Sequence, residues 1–228
     1  MNRKEKICMD NIFIGDILHI IPALLIALTV HEYSHGRIAY YLGDETAKAQ
    51  GRLTLNPLDH LDPIGFLMVA IAGFGWAKPV PVNPVNFRRD VDMRHGMLLV
   101  SLAGPVSNLI MAFIFLGVSD FYLRFTQGLG GIGPGVALNP NYNHPVLYYI
   151  VLFNIFLAIF NLLPVPPLDG SRILRAIVPR RFEEYFNYLD QYGFIILILL
   201  IVSGAIRAIL WPLTIIILSI LYLPFQLI

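Results

Sequence analysis

Five apolar runs, separated by short polar or proline-rich stretches, decide what this chain can fold into: about Ile12 to Leu42, Met97 to Leu123, Val146 to Leu163, Tyr192 to Leu210 and Pro212 to Ile228. Each reaches the ~17 residues that a membrane-crossing helix needs at minimum. Lipid offers backbone amides no hydrogen-bond partner, so segments of this kind must be helical. Composition agrees, because 57% of the 228 residues are hydrophobic and 14% are charged, against ~25% charged in a soluble domain. Sixteen Lys and Arg nearly cancel fifteen Asp and Glu, which excludes the basic footprint of a nucleic-acid binder. Cys8 is the single cysteine. No intrachain disulfide or Cys-rich zinc module is possible, and any metal must be held by His and carboxylate. The expectation is one polytopic all-α membrane domain over residues 1–228.

The first run holds Asp16, His19 and Pro22, so it reads as a single helix, tilted or kinked at the proline. It lacks a small-residue cleavage site and is expected to be retained. Ala47 to Asn56 alternates around Arg52 to Leu55, which suits a short strand or β-hairpin. Ile64 to Trp76 is short for a span and carries Gly65, Gly73 and Gly75, so it reads as a re-entrant or interfacial element. Prolines 79, 81 and 84 make Lys78 to Asn86 extended and polyproline-like. Ala103-Gly104-Pro105, in the second clear span, is a small-residue patch that lets helices approach closely. The last two runs are expected to pair, turning near Trp211-Pro212. The fold class is therefore a three-helix catalytic core over about 15–185 plus a C-terminal helical hairpin over about 190–228, with a small membrane-associated β-hairpin/re-entrant element. If Ile64 to Trp76 does not cross, loops 43–96 and 170–190 carry ten Lys/Arg against five on the other side. If it does cross, the count is about as good, so charge alone leaves orientation open.

Chemistry concentrates in His31-Glu32-Tyr33-Ser34-His35, an H-E-x-x-H sequence inside the first run. Residues four apart share a helix face, so both imidazoles address one point and can hold Zn²⁺, with Glu32 beside it as general base. Ionisable side chains in a membrane helix cost ~2.5–3.5 kcal/mol each. Such a cluster needs a compensating partner, whether a metal or polar groups on neighbouring helices. A hydrolytic zinc site has three protein ligands. The best candidate for the third is Asp169, which follows Pro164, Pro166 and Pro167 where the helix must unwind. The bland alternative is that Asp169 caps the following Arg-rich helix. Asn108, one turn past Pro105, either lines the site or bridges helices.

These residues carry a resemblance to the site-2 protease family, the intramembrane zinc metalloproteases. The matching elements, in the family's order, are H-E-x-x-H (His31 to His35), A-G-P (Ala103 to Pro105) and N-x-x-P-x-P-x-L-D-G (Asn161 to Gly170). The chain resembles the compact prokaryotic branch, which also shows G-R-L-T-L-N-P, D-P-I-G and G-W-A-K-P-V-P-V-N-P, here beginning at Gly51, Asp62 and Gly75. The loop from about Asp120 to Pro145 has no room for the PDZ domain of larger relatives, and no regulatory domain is expected after the last helix. The resemblance implies one zinc held by His31, His35 and Asp169, water activation by Glu32, and a substrate or oxyanion contact from Asn161, with Asn108 as a further candidate. It also implies a multi-pass protein of the cell membrane, its N-terminus outside and its active site nearer the cytoplasmic side, with Ile64 to Trp76 not crossing.

The expected activity is hydrolysis of peptide bonds in or near transmembrane segments of membrane-protein substrates, in contact with the bilayer and without nucleic acid. The Gly51 to Asn56 strand is a candidate for capturing an unwound substrate as an added strand. The competing class is a catalytically silent membrane scaffold that binds transmembrane segments. It would typically lack a ligand or the base, and here all four residues are present.

Overall fold

The computed structural model describes residues 17–65, 68, 77–128 and 144–226. Three helices form its centre: α1 (Ile17–Tyr41), α3 (Met93–Gln127) and α4 (Pro145–Leu162), each packed against the other two. Local sequence sets their ends. The Asp92 carboxylate accepts from the amides of Arg94 and His95 to cap α3, and Gly128 ends that helix at φ +62°, a backbone conformation only glycine adopts cheaply. Pro145 opens α4 at a position where its missing N–H is of no consequence. Ala23, Ala27 and Ala39 are fully buried on α1, so small side chains let its backbone approach its neighbours.

A core of Ala112 and Leu116 from α3, Val151, Ile155 and Ile159 from α4, and Leu210, Leu218 and Tyr222 from the last helix runs through the rest of the fold. Beyond α4 come a short helix α5 (Asp169–Ile177), then α6 (Glu183–Val202) and α7 (Ala205–Gln226). Among the described residues three helices are long and apolar enough to cross a membrane, Met93–Thr126, Arg180–Val202 and Ala205–Gln226, with Pro145–Asn161 a shorter apolar one. The C-terminal pair differs from expectation in two ways. The turn falls at Ser203-Gly204, where Gly204 takes φ +77°, and Pro212 lies inside α7. In addition, α7 packs more on α4 than on α6, and as much on α3 as on α6. Its last turn is tied to α3 by Tyr222 Oη donating to Asp120 Oδ1 at 2.7 Å and Arg124 donating to the Phe225 carbonyl at 2.9 Å.

Between α1 and α3 the expected β-hairpin is absent: no strand occurs among the described residues. Residues 46–49 form one helical turn, α2 (Thr46–Ala49), closed by Arg52 N donating to Ala47 O with Gly51 at φ +66°. The Arg52 side chain turns inward and donates to the carbonyl of Lys78 at 2.7 Å, so the alternation at Arg52 to Leu55 reflects a buried anchor with no neighbouring strand to pair with. A lone antiparallel bridge joins Leu61 to Ala77. The re-entrant reading of Ile64 to Trp76 falls mostly outside the described residues, as does the start of the first run. Residues 78–83 are extended, as the prolines require, and are stapled by Lys78 N to His60 O at 2.9 Å and Asn83 N to Asp44 Oδ2 at 2.6 Å.

Two predictions follow from this architecture. Leu116→Ala empties fully buried space and should lower unfolding stability in detergent by about 2–5 kcal/mol, whereas Ile114→Ala, on the half-exposed face, should change it little. Burial raises the Asp44 pKa, but hydrogen bonds from Thr46, the Asn83 amide and Asn86 outweigh it and hold the carboxyl below its ordinary 3.8. A lowered folded value means that this carboxylate stabilises the protein above pH ~4 and loses that contribution as pH falls through the folded pKa. Thermal melts between pH 6 and 3 should therefore show a steeper acid loss in the parent than in Asp44→Asn.

Candidate metal centre

His31 and His35 project from one face of α1, and both are buried at 3% and 8% exposure. The Asn108 side chain donates its Nδ2 hydrogens to Ala27 O at 3.0 Å and Asn154 Oδ1 at 2.8 Å, leaving Oδ1 to accept from His31 Nδ1 at 2.6 Å. His35 Nδ1 donates to the Val100 carbonyl at 2.6 Å. In its neutral form each ring therefore carries its proton on Nδ1 and a bare lone pair on Nε2. Those two Nε2 atoms lie 3.0 Å apart, and each is 3.1 Å from Asp169 Oδ2. Three acceptors converging without a proton between them repel one another. A cation relieves that repulsion, and two imidazoles with one carboxylate are a borderline-soft donor set that suits Zn²⁺. Among the described residues these are the His, Cys, Asp and Glu side chains that come together as a possible metal site.

Backbone proximity makes this convergence possible. A Cβ at Gly104 would lie 2.5 Å from His31 Cε1 and from His35 Nε2, so a glycine on α3 is what allows that helix to pass beside both rings. Gly170 serves the same purpose for the carboxylate, since a Cβ there would collide with the carbonyls of Leu162 and Leu163 at the end of α4. With α4 ending before Pro164, the proline segment turns the chain back. Asp169 then sits in the first turn of α5, where Ser171 Oγ donates to Leu168 O at 2.7 Å.

Glu32 stands next to this cluster, half-buried, and its Oε2 accepts the Val80 N–H at 2.8 Å. The structure thus brings together His31, His35 and Asp169 and places Glu32 beside them. Asn108 is fully buried and its amide hydrogens are both committed to protein acceptors, so it bridges helices and fixes the His31 ring, with no donor left for a substrate oxyanion. Asn161, on the last turn of α4, donates to Leu157 O at 3.1 Å. Sequence reasoning missed three partners. Asn154 was detectable as an amide in the middle of the apolar run of α4. Val80 was detectable as the single N–H donor between Pro79 and Pro81. The Val100 carbonyl carried no signal.

Residues 85–200 match the model of Peptidase family M50. The chain is 42% identical to "Putative zinc metalloprotease YwhC" of Bacillus subtilis over 85% of its own length and 84% of that protein. It is 26% identical to "Putative zinc metalloprotease Rip2" of Mycolicibacterium smegmatis over 86% of this chain and 71% of the relative. A similar 26% relates it to "Zinc metalloprotease MJ0392" of Methanocaldococcus jannaschii, over 76% of this chain and 38% of the other. No solved structure matches the chain.

Two substitutions outside the three converging residues should weaken metal retention. Asn108→Ala frees the His31 ring and should lower zinc affinity about 10–100-fold. Gly104→Ala places a methyl group against both rings and should do at least as much, read by competition with a metallochromic chelator while circular dichroism stays that of the parent.

Proposed function

Because the chain belongs to peptidase family M50, and is a zinc metalloendopeptidase, we propose that it cleaves membrane-protein substrates in or near their transmembrane segments. The observation that carries this reading is the convergence of three lone-pair donors, His31, His35 and Asp169, beside a carboxylate, Glu32, on helices that pack through apolar faces. In the proposed mechanism His31 and His35, held in one tautomer by Asn108 and Val100, would hold zinc together with Asp169. Zinc held there would supply Lewis acidity toward the scissile carbonyl and an attacking water. Glu32 takes the proton of that water and returns it to the leaving amine, the task of a general base within hydrogen-bond reach. Asn161, with one amide hydrogen engaged by Leu157, offers the other to the developing oxyanion.

Access follows from depth. His35 and His31 lie six and ten residues from the end of α1, or about 9 and 15 Å at 1.5 Å per residue. Gly104 lies eleven residues from the start of α3, about 16 Å by the same rise. The arginines at 88, 89, 94, 172, 175, 180 and 181 cluster in sequence around that same end, which by the positive-inside tendency is the cytoplasmic one. Water reaches the site from there, and the substrate enters from the bilayer.

Purified protein reconstituted with a single-span reporter tests the assignment. Glu32→Gln should keep about one zinc per chain and lose cleavage, whereas Asp169→Ala and His35→Ala should lose both. Asn161→Ala should retain zinc and lose ~10²–10³-fold in kcat, the usual effect of removing one oxyanion donor. Full activity in Glu32→Gln overturns Glu32 as the base, and a well-folded parent with neither zinc nor cleavage overturns the mechanism and leaves the scaffold that merely binds transmembrane segments.

A further inference from the structure

Away from the metal centre, four arginines gather at one end of the fold. Arg94 near the start of α3, Arg172 and Arg175 on one face of α5, and Arg180 line a groove of about 620 Å³ whose apolar wall includes Met93 and Met97. Glu183 is the acidic side chain in the lining, and it is engaged: Arg175 Nε donates to it at 2.7 Å while Nη1 donates to Asp190 at 2.7 Å. Arg94 donates to the carbonyls of Arg175 and Val178, holding the C-terminal end of α5 against α3. Arg172 is exposed and has no hydrogen bond or ion pair among the described residues. Arg180 has the exposed Asp92 within electrostatic reach, and that carboxylate already accepts the first amides of α3.

The groove thus holds more guanidinium charge than its own acids neutralise. It opens where two candidate spans begin, at Met93 and at Arg180, the level at which lipid headgroups lie. Guanidinium forks match phosphate oxygens in pairs, and a half-exposed Met93 gives the same groove a surface for glycerol or acyl carbons. We propose that this groove is a binding site for a phosphate group, carried by an anionic phospholipid headgroup or by a soluble phosphate. It stands independently of the proteolytic mechanism, because α5 presents its N-terminal Asp169 to the metal centre and its C-terminal turn to the groove.

The test uses the purified full chain in neutral detergent, titrated in separate arms with dioleoylphosphatidylglycerol, dioleoylphosphatidylcholine and inorganic phosphate. Bound lipid is counted by native mass spectrometry, and binding is followed by thermal-melt shift. Phosphatidylglycerol should bind saturably at about one per chain, phosphatidylcholine should not, and Arg172→Gln with Arg180→Gln should raise the half-saturation concentration at least tenfold at unchanged zinc content. The corresponding double lysine variant should recover part of the loss. Should the double glutamine variant fail to fold, Arg172→Gln alone carries the same expectation, since that side chain has no hydrogen-bond or ion-pair partner to lose among the described residues. Inorganic phosphate producing the same saturable, arginine-dependent shift identifies a soluble phosphate as the source. Non-saturating lipid retention with no response to inorganic phosphate, or glutamine variants that bind like the parent, overturns the proposal.

Discussion

Three atoms that repel one another, His31 Nε2, His35 Nε2 and Asp169 Oδ2, are held about 3 Å apart inside an apolar fold. Polar groups in such surroundings are tolerated only when each finds a partner. The fold meets that condition from behind. Each imidazole turns its Nδ1 hydrogen to a fixed acceptor, and the Asn108 amide links α1, α3 and α4 through Ala27, His31 and Asn154. This chain of hydrogen bonds fixes tautomer and ring orientation together, so the lone pairs stay aimed at one point. A metal ion held there would supply the charge that the three atoms lack.

Holding helices this close requires side chains to be missing where backbones meet. Gly104 gives α3 its path past the two rings, and Gly170 brings α5 against the carbonyls that end α4. Gly193 on α6 lies where a Cβ would come 2.6 Å from Pro166, so the outer helix also leans on the proline segment that presents Asp169. In lipid, where apolar surface gains little by leaving its solvent, close backbone packing of this sort supplies much of the attraction between helices. The glycines are therefore part of the candidate metal centre as much as His31, His35 and Asp169 are.

Much of this was legible in the sequence because it depends on short-range periodicity. The i, i+4 spacing of His31 and His35, the small patch at Ala103-Gly104-Pro105 and the helix-breaking prolines before Asp169 each state a local rule that tertiary structure then obeys. Errors arose where local pattern was overruled by distant partners. The alternation at Arg52 to Leu55 suggested a strand, but a strand exists only by pairing, and Arg52 instead folds under to hold residues 78 and 79. Pro212 suggested a break, yet helix α7 continues through it while Gly204 absorbs the turn. Val100 serves through its carbonyl alone, and no side-chain pattern can announce a carbonyl.

The extended segment before α3 shows how the polar part of this chain bears on Glu32, the proposed catalytic base. Between Pro79 and Pro81 the backbone has one donor, Val80 N–H, and that donor is given to Glu32. Its position depends on Arg52 gripping the two preceding carbonyls, on His60 accepting from Lys78, and on Asp44 receiving the amide of Asn83. Arg52, His60 and Asp44 are all buried, although none touches the metal centre. A charge-poor protein that buries an arginine, a histidine and an aspartate in one connecting loop must compensate each of them with hydrogen bonds. Two of these anchors converge on the segment beside Glu32 and the third fixes its far end. The loop thus acts as a polar frame that sets where the Glu32 carboxylate can stand relative to the two histidines, a task that the lipid-facing helices have no groups to perform.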